Sequence, residues 1–409
     1  MSNNNIYLKK LINFKDNFSI KVINGIRSVG KTTLLSTFAE TLKKQGTPSE
    51  SIIYINFEEM EEIYNFQQLY EFVNDKIIYL EQAYLLFDEI QRVKGWEKAI
   101  NAFFVGAPVD IYITGSNSEI LSENFLHLLS NHYELINMQP LSFNEYIEII
   151  SKEENISLSE ELYFQQYLKY GGLPIIAKCQ KQTYVLPNLL AGIYNTILNK
   201  DIVAAYGVRD VILLNAINKF LALNIGKSIK PKIMEEYLFN LGQTTTVYTM
   251  ENYLNMIDKS GIFNKVIRYD IKKQSILNGS EKFYSADIGI LNSLTNFNNF
   301  DNETINEGIL ENLVYIELCR RGYKVFIGKN GKSNINFVAF KNNKPTYFQV
   351  ISKIDSKVKL RKVLLPLQNI KDQYDKVILT MDKQKVTDYN GIKVFHIVDF
   401  LHGVVDFKL

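Results

Sequence analysis

The 409-residue chain predicts an α/β fold that opens with a parallel sheet and continues into smaller units. Three observations carry that reading. Residues 19–23 alternate with a β-branched bias and read as a buried strand, and residues 33–44 place Leu34, Leu35, Phe38 and Leu42 on one helical face. Between them stands Gly25-Ile-Arg-Ser-Val-Gly-Lys-Thr32, which matches the pattern G-x-x-x-x-G-K-[ST] at each defined position. Further on, Tyr84-Leu-Leu-Phe-Asp88-Glu89 is an apolar strand with two carboxylates emerging at its end.

The glycine loop lies where a strand hands over to a helix N-terminus. Unpaired backbone N–H groups and the helix dipole attract phosphate there. Gly25 and Gly30 admit close approach of the anion, Lys31 is placed to reach the β- and γ-phosphates, and Thr32 to hold Mg²⁺ through its hydroxyl. The expected nucleotide-binding residues are Gly25, Ile26, Arg27, Ser28, Val29, Gly30, Lys31, Thr32 and Thr33, with ATP and Mg²⁺ as ligands. No Asn-Lys-x-Asp run exists to read guanine. Asp88 is the second expected metal-side residue, and Glu89 is the expected base that polarises the attacking water.

The remaining elements follow in order. Residues 6–14 form a short apolar segment. Tyr7 or Leu11 there can cover an adenine ring, or the segment can be a plain packing helix. Residues 51–57 read as a second buried strand ending at Glu58, which is either close to the attacking water and metal or a solvated edge carboxylate. Residues 110–117 read as a strand with polar residues at its end. Ser116 is the first choice for a γ-phosphate sensor, then Asn117 and Thr114, the alternative being a glycine turn with Ser118 capping a helix. Residues 133–138 give a fifth strand. Ser142 and Glu145 then spell a capping box, which makes Glu145 structural.

Residues 160–210 read as mostly helical around a Gly171-Gly172-Leu173-Pro174 turn and are expected to form a lid. Arg209 at its end is either a cation for the phosphates or an ion-pair partner of Asp210 or Asp201. Residues 211–294 read as three helices followed by a hairpin, with strands at 262–269 and 282–285, which is a winged-helix pattern. Residues 244–256 occupy the place of its recognition helix and carry no Arg or Lys, whereas Lys265, Arg268, Lys272 and Lys273 supply charge from the wing. DNA binding and protein packing both stay open for this segment. Residues 296–306 are asparagine-rich and read as a linker. The last stretch alternates helix and strand as a second small α/β unit. The expected organisation is 1–150 for the sheet with the phosphate loop, 151–210 for the lid, 211–300 for the winged helix and 301–409 for the tail.

Composition bounds the alternatives. Hydrophobic residues make up 46% and charged residues 22%, the profile of a globular protein, and the net charge of +2 excludes a polyanion-binding character for the whole molecule. Cys179 and Cys319 are the only cysteines, so neither a disulfide framework nor a thiolate metal site is expected. Residues 1–10 lack an apolar signal region, and the most apolar windows are interrupted by polar residues. A cytoplasmic protein without membrane contact is the expectation.

With these motifs in view, the chain resembles bacterial and archaeal AAA-type ATPases of the AAA_14/DUF4143 family. The resemblance rests on the loop at Gly25–Thr32 together with Tyr54-Ile-Asn-Phe-Glu58, Phe87-Asp-Glu-Ile-Gln91, Gly95-Trp96, Ile113-Thr-Gly-Ser116, Pro140-Leu-Ser-Phe143, Tyr170-Gly-Gly-Leu-Pro174 and Asp201-Ile-Val203 with Arg209-Asp210. It implies an ASCE-type P-loop core, a helical lid, a winged helix and a restriction-endonuclease-like tail, and it leaves DNA and protein as candidate partners beside ATP. Two departures stand out. The family usually carries Ser-Gly-Arg-Tyr before its fifth strand, and here the run is Ser130-Asn-His-Tyr133, which removes an arginine. In the tail, Glu311 occupies the helix position of the nuclease layout. Asn336 stands where an Asp is expected, and Gln349 and Ile351 stand where Glu/Gln-x-Lys is expected, with Lys353 two residues further on. The expected outcome is a tail inactive as a nuclease, in which Glu311 and Gln349 orient each other and the backbone.

Overall fold

The computed structural model of the chain describes residues 5–60, 62–115, 120, 123–129, 132–154, 158–297, 306–383 and 387–404. The chain divides into two compact units, Met1–Met138 and Gln139–Leu409.

The first unit is wound around five parallel strands: β1 (Ile20–Asn24), β2 (Ile52–Asn56), β3 (Ala83–Asp88), β4 (Val109–Gly115) and β5 (Tyr133–Asn137). Their order is β2-β3-β4-β1-β5. All of β1 and β3 is buried, as a doubly covered parallel sheet requires, which is why both read as unbroken apolar runs. The helix Lys31–Lys44 buries Leu34, Leu35, Phe38 and Leu42, the face the spacing predicts. The helix Trp96–Gly106 buries Trp96, Ala99, Ile100 and Phe103, and Trp96 stacks on Phe125. The helix Ile6–Asn13 buries Tyr7 and Leu11, so both are core residues of a packing helix.

Because the strands are parallel and β4 lies between β1 and β3, three strand ends meet on one edge of the sheet. Asn24 is level with Gly115, and Phe87 with Ile113. Open parallel sheets hold their ligands at such carboxyl ends. The opposite edge is closed by a buried pair: the Lys21 ammonium bonds the Asp110 carboxylate, which also accepts the Tyr112 hydroxyl at 2.8 Å and the Asp16 N–H at 2.9 Å. Burial pushes the Lys21 amine below its ordinary value while Asp110 pulls it back up.

The second unit begins with the helices Phe143–Glu154 and Glu160–Tyr170. The capping box forms as read: Glu145 accepts the Ser142 N–H at 2.9 Å and returns its own N–H to the Ser142 hydroxyl at 3.3 Å. Asp287 is fully buried and fastens the Gly171-Gly172 turn. Its carboxylate accepts the N–H of Gly172 at 2.8 Å, of Gly289 at 2.8 Å and of Ile290 at 3.1 Å. A Cβ on Gly171 would lie 2.3 Å from the Asp287 Oδ1, which leaves glycine as the residue that fits.

Three helices follow, Val211–Leu223, Pro231–Asn240 and Val247–Ser260, then a hairpin of β6 (Phe263–Asp270) and β7 (Ser275–Ser285). The second strand is longer than the expected 282–285, and Gly279 lies inside it, where the register shifts between Val266 and Arg268. Next come β8 (Lys324–Asn330), β9 (Ser333–Lys341), β10 (Lys344–Ile351), β11 (Lys376–Thr380), β12 (Thr387–Tyr389) and β13 (Ile392–His396). They form one eight-stranded mixed sheet with the hairpin, in the order β12-β13-β11-β10-β9-β8-β6-β7. The link is a parallel pairing of Arg268, Tyr269 and Asp270 with Ile327, Gly328 and Lys329. The sheet therefore runs across the division expected at residues 300/301. The helix Glu307–Arg320 is buried on nearly all sides, its polar residues Glu311, Asn312, Glu317 and Arg320 included. The helix Lys357–Gln368 contributes Val363, Leu364 and Leu367 to one apolar cluster with Tyr347, Ile351 and Ile378.

In the tail, Glu311 and Gln349 have separate partners, contrary to the expected mutual orientation. Glu311 accepts the Lys282 ammonium at 2.6 Å and the Tyr284 hydroxyl at 2.5 Å. Gln349 binds β9 instead, accepting the Asn336 N–H at 3.4 Å and donating to the Asn334 carbonyl at 3.2 Å, while the Asn336 side chain accepts the Val350 N–H at 3.1 Å. Lys353 is exposed. The 296–306 linker lies largely outside the described residues. No helix among the described residues is long and apolar enough to cross a membrane.

Candidate nucleotide site

The loop after β1 is shaped by three residues with positive φ: Gly25 at 157°, Ser28 at 63° and Gly30 at 104°. A Cβ on Gly25 would lie 2.7 Å from the carbonyl oxygen of Met138, so the position excludes any side chain. Gly30 caps the helix Lys31–Lys44 without a side-chain acceptor, which leaves the first-turn N–H groups without a side-chain cap. Thr32 and Thr33 are exposed at this end. Lys31 is 4% exposed and folded onto the loop. Its ammonium donates to the carbonyls of Gly25 at 2.9 Å and Ile26 at 3.3 Å and lies 3.6 Å from the Glu89 Oε1.

Asp88 is completely buried at the end of β3. Burial pushes its carboxyl above the usual range, and the Thr114 hydrogen bond and the nearby Thr32 hydroxyl pull it back. Thr114 donates to the Asp88 Oδ1 at 2.5 Å and accepts the Glu89 N–H at 3.0 Å. One hydroxyl on β4 thus fixes both Asp88, the last residue of β3, and Glu89, which follows it. Thr114, third in line as a phosphate sensor from the sequence, has this bracing role because the strand order sets β4 beside β3, which local sequence does not mark. The Asp88 Oδ2 is buried with no hydrogen-bond partner among the described residues. With the Thr32 hydroxyl it offers the oxygen ligands that Mg²⁺ takes, so the residues present fit that ion.

Glu89 adopts the left-handed region at φ 54°, ψ 46°, a conformation that costs about 1–3 kcal/mol for a non-glycine residue. Its Oε2 accepts the Gln91 amide at 2.6 Å. Glu58 is exposed at the sheet edge, and its carboxylate joins Arg27 of the loop at 3.3 Å to Arg92 at 2.6 Å. Ser116, with Asn117 and Ser118, lies outside the described residues, as do Ser130 and Asn131. His132 is exposed, and its carbonyl accepts the Ile20 N–H at 2.8 Å. Arg209 belongs to the second unit and is exposed, while the neighbouring Asp210 caps the following helix through the Leu213 N–H.

A five-stranded parallel sheet with this loop and this carboxylate pair defines a P-loop ATPase-type domain of the AAA class. Residues 17–147 match the AAA domain family AAA_14. Residues 161–301 match a domain of unknown function, DUF8612, a designation different from the DUF4143 that the resemblance implied. An uncharacterized protein of Haemophilus influenzae is 36% identical over 403 residues, covering 97% of this chain and 97% of that protein. The chain belongs to the same protein family as that relative. The uncharacterized protein MJ1544 of Methanocaldococcus jannaschii is 27% identical over 385 residues, covering 91% of this chain and 82% of the other. Among solved structures, the Walker-type ATPase PABY2304 of Pyrococcus abyssi is similar with a TM-score of 0.50 at 15% identity, over 70% of this chain and 94% of that one, a likeness of fold alone.

Proposed function

We propose that the chain binds ATP with Mg²⁺ through residues Gly25 to Thr33 and Asp88, hydrolyses it slowly, and uses the cycle as a nucleotide-driven switch. The observation that carries this reading is the orphaned, buried Asp88 Oδ2 beside the Thr32 hydroxyl at the mouth of the glycine loop. Bound Mg²⁺ would supply charge neutralisation at the transferring phosphoryl group. Lys31 would exchange the Gly25 and Ile26 carbonyls for phosphate oxygens, and the helix N-terminus would offer its N–H groups to the same anion. Glu89 would take a proton from the attacking water. Ser116 as sensor and Arg209 as a second cation remain part of the proposal. Two free cysteines suit the cytoplasmic setting of the proposal. The test is steady-state ATP turnover and nucleotide affinity of the full chain with and without Mg²⁺; absence of Mg²⁺-dependent ATP binding would sink the reading.

We read 1–150 as the ATPase core, 151–210 as a helical lid, 211–300 as a winged helix and 301–409 as a restriction-endonuclease-like unit without nuclease activity, the last two sharing a sheet. One observation favours a second reading, ATP-regulated DNA binding. The β6–β7 and β8–β9 turns lie side by side, the Ile271 N–H donating to the Lys329 carbonyl at 2.9 Å. They carry Lys272, Lys273 and Lys332 exposed, beside Lys329. Four cations on adjacent turns suit a phosphate backbone, and such binding weakens steeply with salt. Duplex affinity that is unchanged when these lysines are replaced would reject this second reading and leave a protein as the candidate partner.

A further inference from the structure

We propose that Gln91 is a positioning residue that holds Glu89 in its working orientation, an inference that rests on the ATPase reading above. The Glu89 backbone is already fixed: its N–H bonds the Thr114 hydroxyl and its φ is 54°. The side chain beyond Cβ still has to be aimed. Among the described residues, two groups face its carboxylate. One is Lys31, 3.6 Å from Oε1, a cation that turns to phosphate when nucleotide enters. The other is the Gln91 amide, which donates to Oε2 at 2.6 Å and has no reason to leave. Once Lys31 turns away, the Gln91 bond is the one that keeps the carboxylate from rotating, and Oε1 is released to face a water.

The Gln91 side chain has a built place. A Cβ on Gly115 would lie 2.5 Å from the Gln91 Oε1 and 3.0 Å from the Ile120 Cδ1. Gly115 has no positive φ, so the backbone does not demand glycine there; the space for the Gln91 amide and Ile120 does. The Gln91 Oε1 is buried with no hydrogen-bond partner among the described residues. A flipped amide would turn that oxygen toward the Glu89 carboxylate and its NH₂ toward the closed side. The donor end therefore faces Glu89, and the amide's one bond from this end goes to that residue.

The experiment compares Gln91→Leu, made in the parental chain and in the Glu89→Gln chain, by ATP affinity and by kcat. A misplaced base costs about 10- to 100-fold in rate. Gln91→Leu is expected to lower kcat by that factor with ATP affinity within about threefold. In the Glu89→Gln background the same change is expected to cost less than about twofold, because the group it aims is gone. Equal losses in both backgrounds, or parental turnover in Gln91→Leu, overturn the inference while leaving the ATPase reading standing. A parental chain that fails to hydrolyse ATP overturns both. Gln91→Asn, one methylene short of Glu89, repeats the test with polarity kept should the leucine variant fold poorly.

Discussion

The Lys31 ammonium donates to the carbonyl oxygen of Gly25, six residues earlier, at 2.9 Å. The cation that the loop pattern assigns to phosphate is thus held inside the loop, on acceptors it can give up one for one. Lys31→Ala is expected to abolish measurable ATP binding, since both the charge and its donors are lost, while the fold survives the loss of two hydrogen bonds and of the cation beside Glu89. Fluorescent-nucleotide titration beside a thermal melt checks this. A folded variant with parental affinity would remove Lys31 from the site.

Glu89→Gln keeps the shape and one acceptor of the side chain but cannot take a proton. ATP retention with turnover reduced about a hundredfold or more is expected. Single-turnover kinetics with labelled ATP separate the two quantities. Hydrolysis at the parental rate would move the base elsewhere, and Glu58, tied to Arg27 and Arg92, is poorly placed to inherit the role.

Thr114→Val preserves volume and removes one hydroxyl. It leaves the Asp88 Oδ1 and the Glu89 N–H short of a partner in a buried place, at about 1–3 kcal/mol each. Lower stability together with weaker Mg²⁺-dependent ATP binding is expected from urea unfolding and titration. An unaltered midpoint and affinity would show that Thr114 braces neither residue.

What was legible in the sequence was local. The glycine loop, the helical face of Leu34, Leu35, Phe38 and Leu42, and the Ser142–Glu145 box each depend on neighbours within a turn or two, and each formed as read. What was hidden depends on strand order. Thr114 meets Asp88 across 26 residues, and Lys21 meets Asp110 across 89, only because β1, β4 and β3 are adjacent. The joining of the β6–β7 hairpin to the tail sheet through Arg268–Asp270 is equally non-local, and so are the Lys282 and Tyr284 bonds to Glu311. The short helices Ile288–Leu294 and Ile397–His402 are too brief for periodicity to mark.

The tail is expected to leave supercoiled and linear DNA intact in Mg²⁺ or Mn²⁺. Glu311 is occupied by Lys282 and Tyr284, and the Asn336 oxygen is used by the Val350 N–H. Among the described residues no three His, Cys, Asp or Glu side chains are grouped as metal ligands. Gel analysis checks it; cleavage that disappears on Glu311→Ala would make the tail a nuclease.

Asp287 gives the chain a pH signature. Burial pushes its carboxyl up to about 6, against the pull of three N–H donors. An acid with a raised folded pKa binds its proton longer in the native state than in the unfolded one. Its contribution to stability is therefore complete below about pH 4, where both states are protonated, and is lost as pH rises through about 6. A shift of about two units corresponds to about 3 kcal/mol across that window. Asp287→Asn cannot titrate, and its NH₂ opposes one of the backbone donors, so the variant is less stable at every pH. The informative quantity is the difference in slope. Between pH 4 and 6 the parental unfolding free energy should fall relative to the variant by about 2 kcal/mol of that total, read from urea unfolding at half-unit steps. Parallel curves would mean that Asp287 is ionised throughout and that its three N–H bonds outweigh its burial.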